Sequence, residues 1–430
     1  MPMAPSQSTD LANLANLASL AGLADLDPNT LTDRPERLVT DAWLAPATEL
    51  ALHLLDQADP LALAAGSHTA PGHTMLLLAA PRDGHPAIHL RLPDGTAAAE
   101  PLLADRAATV LPLVGVLDLA LYRDRDDVDH DRPQYLRTLD AGQLCLLHTG
   151  ATVRLTGCPD SAQLVASHVP VDVPGTVQLN PGEYRAAADD ARTRLTRSRP
   201  TGAGRTAGPG LENVPDLRTA DLPRIHAQSG VLHRLAADRG RLSYLVTTTV
   251  LSPERYEASR TTPPLDRLVL SKADDLGYEI RLNANPRPGN QLLPHDHAYP
   301  FAARVLTGGC LHTVFLRTDG RAGGCAGGPF SSRGLRPAVT TTELPGSAYT
   351  LAPTLAHRAV VLPGTTTLVL RGPYTAAHPA TDLIPLVAAW TVPVGGEAPV
   401  HSRRMTDAEH QALYRSLAAT GVIDLLPGRL

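Results

Sequence analysis

Short apolar runs separated by turn residues constrain this chain more than any other feature. In its first half the runs occupy residues 74–79, 87–92, 109–122, 142–147, 151–155 and 162–167. In its second half they occupy residues 268–270, 278–282, 302–306, 310–317, 339–342, 348–351, 359–362 and 366–370. Regularly spaced short strands predict a β-sandwich or barrel. A chain of 430 residues is long for one core, so we expect two domains.

Three histidines in the second half are spaced like metal ligands. His295 and His297 are one residue apart, and His357 follows ahead of an apolar run. Side chains i and i+2 of a strand point to the same face, so His-x-His directs two imidazoles at one point. A third imidazole from a neighbouring strand would complete a facial triad with open metal positions. The pattern predicts a metal site, and ordinary strand histidines are the alternative.

The residues around the first two histidines resemble the first motif of the cupin superfamily. That motif is Gly, five residues, His-x-His, three or four residues, Glu, six residues, Gly. Here Gly289, His295, His297 and Gly308 keep its spacing, while Phe301 stands at the Glu position. The resemblance implies a double-stranded β-helix, or jelly-roll barrel.

The region around His357 resembles the second cupin motif. Gly346 and Pro353 precede His357 as in that motif, although the gap from Pro to His is one residue short. Residues 349–358 look like the corresponding stretch of cysteine dioxygenase-type thiol dioxygenases, which lack the Glu and bind iron with three histidines. The resemblance spans residues 265–375 and implies a mononuclear non-haem iron oxygenase.

This chain also departs from the thiol dioxygenases. Their cysteine–tyrosine crosslink would need a Cys near Phe301 or Ala302, and the sequence has none there. Their Ser-x-His-x-Tyr relay is matched only at Tyr374, because Leu370 and Gly372 fill the other places. The resemblance therefore carries over the metal but not cysteine as the substrate.

The two halves of the chain show faint internal similarity. Residues 101–123 parallel residues 292–317, and residues 139–157 parallel residues 344–364. Aligning Gly142 with Gly346 sets Val153 against His357, and the positions that match His295 and His297 fall in residues 101–104. We predict a first cupin-like barrel without a metal. Two unrelated β-domains are the alternative.

Three further residues are candidates for catalysis. Tyr349 could hydrogen-bond a substrate or oxygen from inside the barrel. His312, on the strand after the first motif, could be a fourth ligand, although a role behind the ligands or in the core is favoured. Arg281 could anchor a carboxylate, and an outward-facing salt bridge is equally compatible. Phe301 is expected to pack beside the site.

The predicted fold class is all-β with added helices: two cupin barrels, a helical linker and terminal helices. Residues 1–40 form an N-terminal segment with a Leu-x-x repeat, partly helical or disordered. Residues 41–180 form the metal-free β-domain, 181–264 the connector, 265–395 the metal-binding domain and 396–430 a C-terminal helix. Within the connector, residues 243–251 are β-branched and predict a strand. Thr406 and Glu409 form a capping box that opens the last helix.

Composition narrows the possible partners. A net charge of −5 without a basic tract gives no indication of nucleic-acid binding. The N-terminal repeat lacks a basic flank and is too short and polar to cross a membrane. Four cysteines without metal-ligand spacing fit free thiols in a reducing cytoplasm.

Three neutral imidazoles would leave the charge of a divalent metal uncancelled, which favours an anionic co-ligand. Together with this charge, the resemblance implies an iron(II)-dependent oxygenase or dioxygenase that acts on a small molecule with dioxygen, for which specialised metabolism is a compatible setting. An isomerase, lyase or cyclase that uses zinc, nickel or manganese is an alternative. A bicupin that binds a small molecule without turnover is another, and a homodimer is compatible with all three.

Overall fold

A computed structural model describes a large part of the chain. The predicted N-terminal segment lies outside this part. The described residues are 44–81, 86–94, 102–104, 107–167, 176–197, 214–262, 265–286, 289–291, 294–297, 299–317, 335–353, 355–374, 390–391 and 403–425.

Strands make up most of the regular structure, as the sequence predicted. The strands before residue 180 are β1 (His68–Ala70), β2 (His73–Ala79), β3 (Ala87–Pro93), β4 (Leu102–Ala104), β5 (Ala108–Val114), β6 (Val116–Tyr122), β7 (Tyr135–Asp140), β8 (Cys145–Leu147), β9 (Ala151–Gly157), β10 (Ala162–Ser167) and β11 (Val177–Gln178). The later strands are β12 (Arg260–Thr262), β13 (Leu265–Ala273), β14 (Tyr278–Asn285), β15 (Gly289–Gln291), β16 (Phe301–Thr307), β17 (Cys310–Arg317), β18 (Leu335–Glu343), β19 (Ala348–Leu351), β20 (Ala356–Val361), β21 (Thr365–Arg371), β22 (Trp390–Thr391) and β23 (Arg403–Arg404).

Helices flank the strands and fill the middle of the chain. They are α1 (Leu44–Gln57), α2 (Pro60–Leu63), α3 (Arg125–Asp129), α4 (Pro181–Thr196), α5 (Leu222–Gln228), α6 (Gly230–Ala237), α7 (Arg239–Thr248), α8 (Pro253–Ala258) and α9 (Asp407–Ala419). Among the described residues, no helix is both long and apolar enough to cross a bilayer.

The chain divides into two compact units, and each includes a short segment from the other half of the sequence. The first unit is drawn from Met1–Arg132, Thr138–Ala203 and Pro337–Thr341; the second is drawn from Pro133–Arg137, Gly204–Arg336 and Thr342–Leu430. Helix α4 therefore lies in the first unit, and helices α5 to α8 lie in the second.

The first unit is built from two antiparallel sheets. The larger one contains the run β11-β1-β2-β3-β10-β5-β8-β18, and the other contains the run β6-β9-β4. Arg91 on β3 links them, because its Nη2 donates to the Leu155 carbonyl on β9 over 2.8 Å. Helix α4 begins at a capping box of Asn180 and Glu183, and its Tyr184 hydroxyl donates to the Leu77 carbonyl.

The second unit repeats this order. Its larger sheet contains the run β23-β12-β13-β14-β21-β16-β19-β7, and its smaller sheet contains the run β17-β20-β15-β22. Strands β12, β13, β14, β21, β16 and β19 thus correspond to β1, β2, β3, β10, β5 and β8, while β17, β20 and β15 correspond to β6, β9 and β4. The predicted internal repeat and the predicted fold class are confirmed.

The prediction of a strand at residues 243–251 was wrong, because this segment forms helix α7 and a short 3-10 turn, Thr249–Leu251. Asp238 caps the helix by accepting the Arg241 amide. The hydroxyls of this polar, β-branched run bond carbonyls four residues earlier, and Leu242 and Val246 enter the core. Tertiary packing therefore overrides β-propensity here. The predicted capping box of α9 is present.

The glycine of the first motif provides a test of the fold. Gly308 has φ +69°, and an added Cβ would lie 2.6 Å from the Thr365 Cα and 2.8 Å from its amide nitrogen. Gly364 has a similar φ of +75° but open space around it. We expect Gly364→Ala to lower the free energy of unfolding by about 1–2 kcal/mol, the usual penalty of this backbone region. Gly308→Ala should cost more, because it adds a backbone clash. Equal losses in urea denaturation would contradict the packing argument.

Candidate metal centre

The backbone holds two of the three predicted ligands together. His295 forms an isolated antiparallel bridge with His357 on β20. The His295 amide donates to the His357 carbonyl over 2.9 Å, and the His357 amide donates back over 2.8 Å. His297 follows two residues later, ahead of β16. A single bridge therefore places the His-x-His pair beside β20. The prediction that this pair lies in a regular strand was wrong.

The three imidazoles converge on one point. One potential ligand nitrogen from each of His295, His297 and His357 lies within 4.8 Å of the others, and no other such cluster occurs among the described residues. The Nε2 atoms of His297 and His357 are 2.9 Å apart. Two imidazole nitrogens bound at right angles to one ion, each at about 2.1 Å, would lie about 3.0 Å apart. The donor set therefore fits a divalent metal.

Burial favours the neutral form of His297 and His357. Loss of solvation, together with the neighbouring His295, holds the pKa of His297 well below its usual range. The same causes, with His297 and His312 added, hold the pKa of His357 well below its usual range. Both imidazoles are neutral at neutral pH, and only a neutral imidazole has the free lone pair that a metal needs.

Phe301 occupies the place beside the ligands where the cupin motif has Glu. Its ring lies 5.0 Å from that of His297, edge to face, and 5.7 Å from that of His357. Tyr299 also stacks on His297, with centroids 5.2 Å apart. An aromatic wall therefore stands where a fourth ligand would otherwise be supplied.

His312 lies behind the ligands and is not part of the cluster of ligand atoms. It is fully buried on β17, and its Nε2 is 3.0 Å from the Nδ1 of His357. Its ring stacks on Tyr349 with centroids 4.4 Å apart and an angle of 24°. Burial lowers the pKa of His312 to about 3, so this ring is neutral.

Tyr349 lines the cavity in front of the ligands. Burial raises its pKa well above the usual value of 10, with the neighbouring Cys310 and Glu343 adding to the effect. The hydroxyl is therefore protonated at neutral pH. It has no hydrogen-bond partner among the described residues, so it is available to donate to a bound molecule.

Arg281 lines the same cavity, but a carboxylate of the protein already neutralises it. Its Nε donates to Glu279, and its Nη1 donates to the Tyr299 hydroxyl over 3.2 Å. The other oxygen of Glu279 is 3.6 Å from an Nη2 of Arg371. Burial would raise the pKa of Glu279, but Arg281 and Arg371 outweigh it and lower that pKa. The predicted carboxylate anchor is thus held in an internal ion pair that faces inward.

Arg267 is the cavity residue that sequence reasoning missed. It pairs with Asn283 across β13 and β14 and lines the cavity with Arg281. No hydrogen-bond or ion-pair partner for its guanidinium occurs among the described residues, and its Nε is buried without an acceptor. Burial and Arg281 lower the pKa of Arg267 to about 10, so it is still cationic at neutral pH. Period-2 alternation from Arg281 through the preceding strand could have found it.

The cavity lies between the two sheets of the second unit and measures about 110 Å³. One wall carries the three histidines with Cys310, Ala359 and Val361. The opposite wall carries Arg267, Arg281, Asn283 and Tyr349 among others. The arrangement can hold a small molecule between a metal position and two guanidinium groups.

Comparisons with solved structures give matches to proteins of known name. KdgF from a Halomonas species is 17% identical over 26% of this chain and 83% of its own, with a TM-score of 0.18. A tryptophan variant of the oxalate decarboxylase of Bacillus subtilis is 10% identical over 72% of this chain and 76% of its own, with a TM-score of 0.20. Another structure of that oxalate decarboxylase, from work on its Mn(II) centres, is 11% identical over 73% of this chain and 76% of its own, also with a TM-score of 0.20. No protein-family profile and no curated protein matches this sequence.

Scores this low carry no argument, so the fold assignment rests on the strand order and its repetition in the two units. The fold is that of a bicupin. We call its first and second units the first and second barrels. In the first barrel Leu102 pairs with Val153 in the position that corresponds to His295 and His357 in the second. The alignment that set residues 101–104 and Val153 against the histidines is thus confirmed in register.

Replacing any one ligand should empty the metal centre without unfolding the barrel. We expect native protein purified without oxygen to carry about one metal ion per chain, as a three-histidine site predicts. His295→Ala, His297→Ala and His357→Ala should each carry almost none, because two imidazoles hold an ion far more weakly than three. Elemental analysis with circular dichroism would measure both properties.

His148 provides the matched control for this prediction. It is as buried as His357, lies in the first barrel and bonds Thr340 rather than a ligand. His148→Ala should keep its metal. Unfolding of all three ligand variants would contradict a purely functional role for these histidines.

Proposed function

We propose that the second barrel is the active site of a metal-dependent cupin enzyme, an iron(II) oxygenase or dioxygenase that acts on a small anionic molecule. The observation that carries the proposal is the convergence of His295, His297 and His357 on a cavity that also holds Arg267, whose guanidinium has no partner among the described residues. Such a site combines a metal position with a cationic substrate anchor.

The ligand set supports iron(II) as the metal. Three neutral imidazoles add no negative charge, and Phe301 supplies none where other cupins have Glu. Iron(II) held by these residues would supply a redox-active centre with open coordination positions for an anionic substrate and dioxygen. Zinc, nickel or manganese would suit the same nitrogens for Lewis-acid chemistry.

The charges of the opposite wall support an anionic substrate. Glu279 is shared by Arg281 and Arg371, and no partner of Arg267 occurs in the part of the chain that the structure describes, so its guanidinium can pair with a ligand. A carboxylate can accept two parallel hydrogen bonds from such a group. The small cavity volume favours a molecule with few heavy atoms.

Tyr349 is suited to orient the bound molecule. Its protonated hydroxyl lines the cavity, and stacking on His312 fixes its ring. We propose that this hydroxyl donates a hydrogen bond to an oxygen of the substrate. The rings of Phe301 and Tyr299 pack against the ring of His297.

The first experiment is metal analysis followed by oxygen uptake. Protein purified without oxygen and loaded with iron(II) should consume oxygen with at least one member of a panel of small thiols, enols and amino acids that bear a carboxylate. The His295→Ala protein should consume none. Substrate loss without oxygen uptake would move the assignment to a lyase, isomerase or cyclase. Binding without turnover under any metal would leave a small-molecule-binding bicupin.

The role of Arg267 can be tested separately with the substrate so identified. Arg267→Met should raise KM roughly 10- to 100-fold, because a charge-assisted hydrogen bond contributes about 1.5–3 kcal/mol. Arg267→Lys should recover part of that loss. An amide analogue of the substrate lacks the negative charge, so its KM should be similar for the native protein and for Arg267→Met. An unchanged KM in Arg267→Met would remove Arg267 from the proposal.

A further inference from the structure

The two ring nitrogens of His357 face different partners. Its Nε2 is 2.9 Å from the Nε2 of His297, on the side where the ligand atoms gather. Its Nδ1 is 3.0 Å from the Nε2 of His312. Strands β17 and β20 fix this separation, because His312 pairs with Ala359 and Val314 pairs with His357 in one antiparallel register.

A neutral imidazole has one N–H and one lone pair, so the partners decide which nitrogen carries the proton. If Nε2 of His357 gives its lone pair to a metal, the proton must be on Nδ1. That N–H then points at Nε2 of His312, which must accept it. Metal-bound histidines almost always donate their second N–H in this way, usually to a carboxylate, a carbonyl or water.

We propose that His312 is the positioning residue of the metal centre, and that its neutral imidazole accepts the Nδ1 proton of His357 and directs Nε2 of His357 toward the metal. The inference rests on the metal site of the proposed function. A neutral acceptor adds no negative charge behind the ligand, so the charge of the metal is kept for an anionic substrate. A carboxylate in this place would offset part of it.

Apart from its contact with His357, the ring of His312 is held by aromatic packing rather than by hydrogen bonds. Tyr349 stacks on one face, and Tyr135 lies at 5.9 Å between centroids. The Nδ1 of His312 is buried and has no hydrogen-bond partner among the described residues. Burying this nitrogen without a hydrogen bond destabilises the fold, and an apolar residue that served only for packing would avoid that cost.

Titration of the metal-free, full-length protein with cobalt(II) tests the inference, since cobalt(II) reports both affinity and ligand geometry in its visible absorption. His312→Phe keeps a flat ring but removes the acceptor, and we expect a roughly 10- to 100-fold weaker Kd, the usual cost of losing such a partner. His312→Gln should bind within about threefold of native, because its amide oxygen reaches the place of the imidazole Nε2. The His312→Phe absorption band should also shift.

Two further variants keep the test decisive. His312→Asn has an amide too short to reach His357, so it should bind as weakly as His312→Phe, even if the latter folds poorly. His148→Gln changes an equally buried histidine of the first barrel and should leave the Kd unchanged. Thermal melting of each metal-free variant measures folding independently.

The outcomes separate this inference from the proposed function. Failure of the native protein to bind cobalt(II), iron(II) or zinc(II) would overturn the metal site itself. Tight binding by native protein with equally tight binding by His312→Phe and His312→Asn would overturn only the role of His312. If His312→Gln and His312→Phe bind cobalt(II) equally weakly and both melt like the native protein, the hydrogen-bond acceptor of His312 does not set the metal affinity, and the inference is overturned.

Discussion

The paired backbone of His295 and His357 is the constraint on which the second barrel's site depends. Their reciprocal amide–carbonyl bonds join two segments that are far apart in sequence. Side chains in a sheet alternate with period two, so a slip of one residue would turn the imidazole of His357 to the opposite face. The same register that forms the triad also places Nδ1 of His357 against His312. One pairing therefore decides both the ligand cluster and its support.

Electrostatics link the two walls of the cavity. The imidazoles of His297 and His357 are neutral, Glu279 and Arg281 neutralise each other, and cationic Arg267 has no partner among the residues that the structure describes. A divalent ion would add positive charge to a cavity that is already positive, which opposes metal binding until an anion arrives. Metal and substrate should therefore strengthen each other's binding, and by linkage the effect must be reciprocal. A single carboxylate in place of Phe301 would weaken this coupling.

Much of the barrel was predictable from the sequence, because the patterns that specify it are local or repeated. The His-x-His pair, the alignment of Val153 with His357 and the capping box at Thr406 each depend on spacing alone. Helix α7 was not predictable in this way, since its β-branched run is held helical by packing against the core. Arg267 was not predicted as a site residue, because its charge is significant only once Arg281 is known to pair with Glu279. Two arginines on neighbouring strands look alike until the position of Glu279 shows which one is neutralised.

The two barrels differ in how they treat a guanidinium in their interior. In the first barrel, Nη1 of buried Arg91 donates to Oε1 of Gln163 over 3.0 Å, and Nη2 donates to the Leu155 carbonyl over 2.8 Å. Both Nη groups therefore have protein acceptors. In the second, Arg267 has no such acceptor among the described residues and faces a cavity. A buried donor without an acceptor costs about 1–3 kcal/mol, and more when it is charged. Packing alone would favour the first arrangement in both barrels. In the second barrel, an anion bound to Arg267, as the proposed function requires, would supply the missing acceptor and offset that cost.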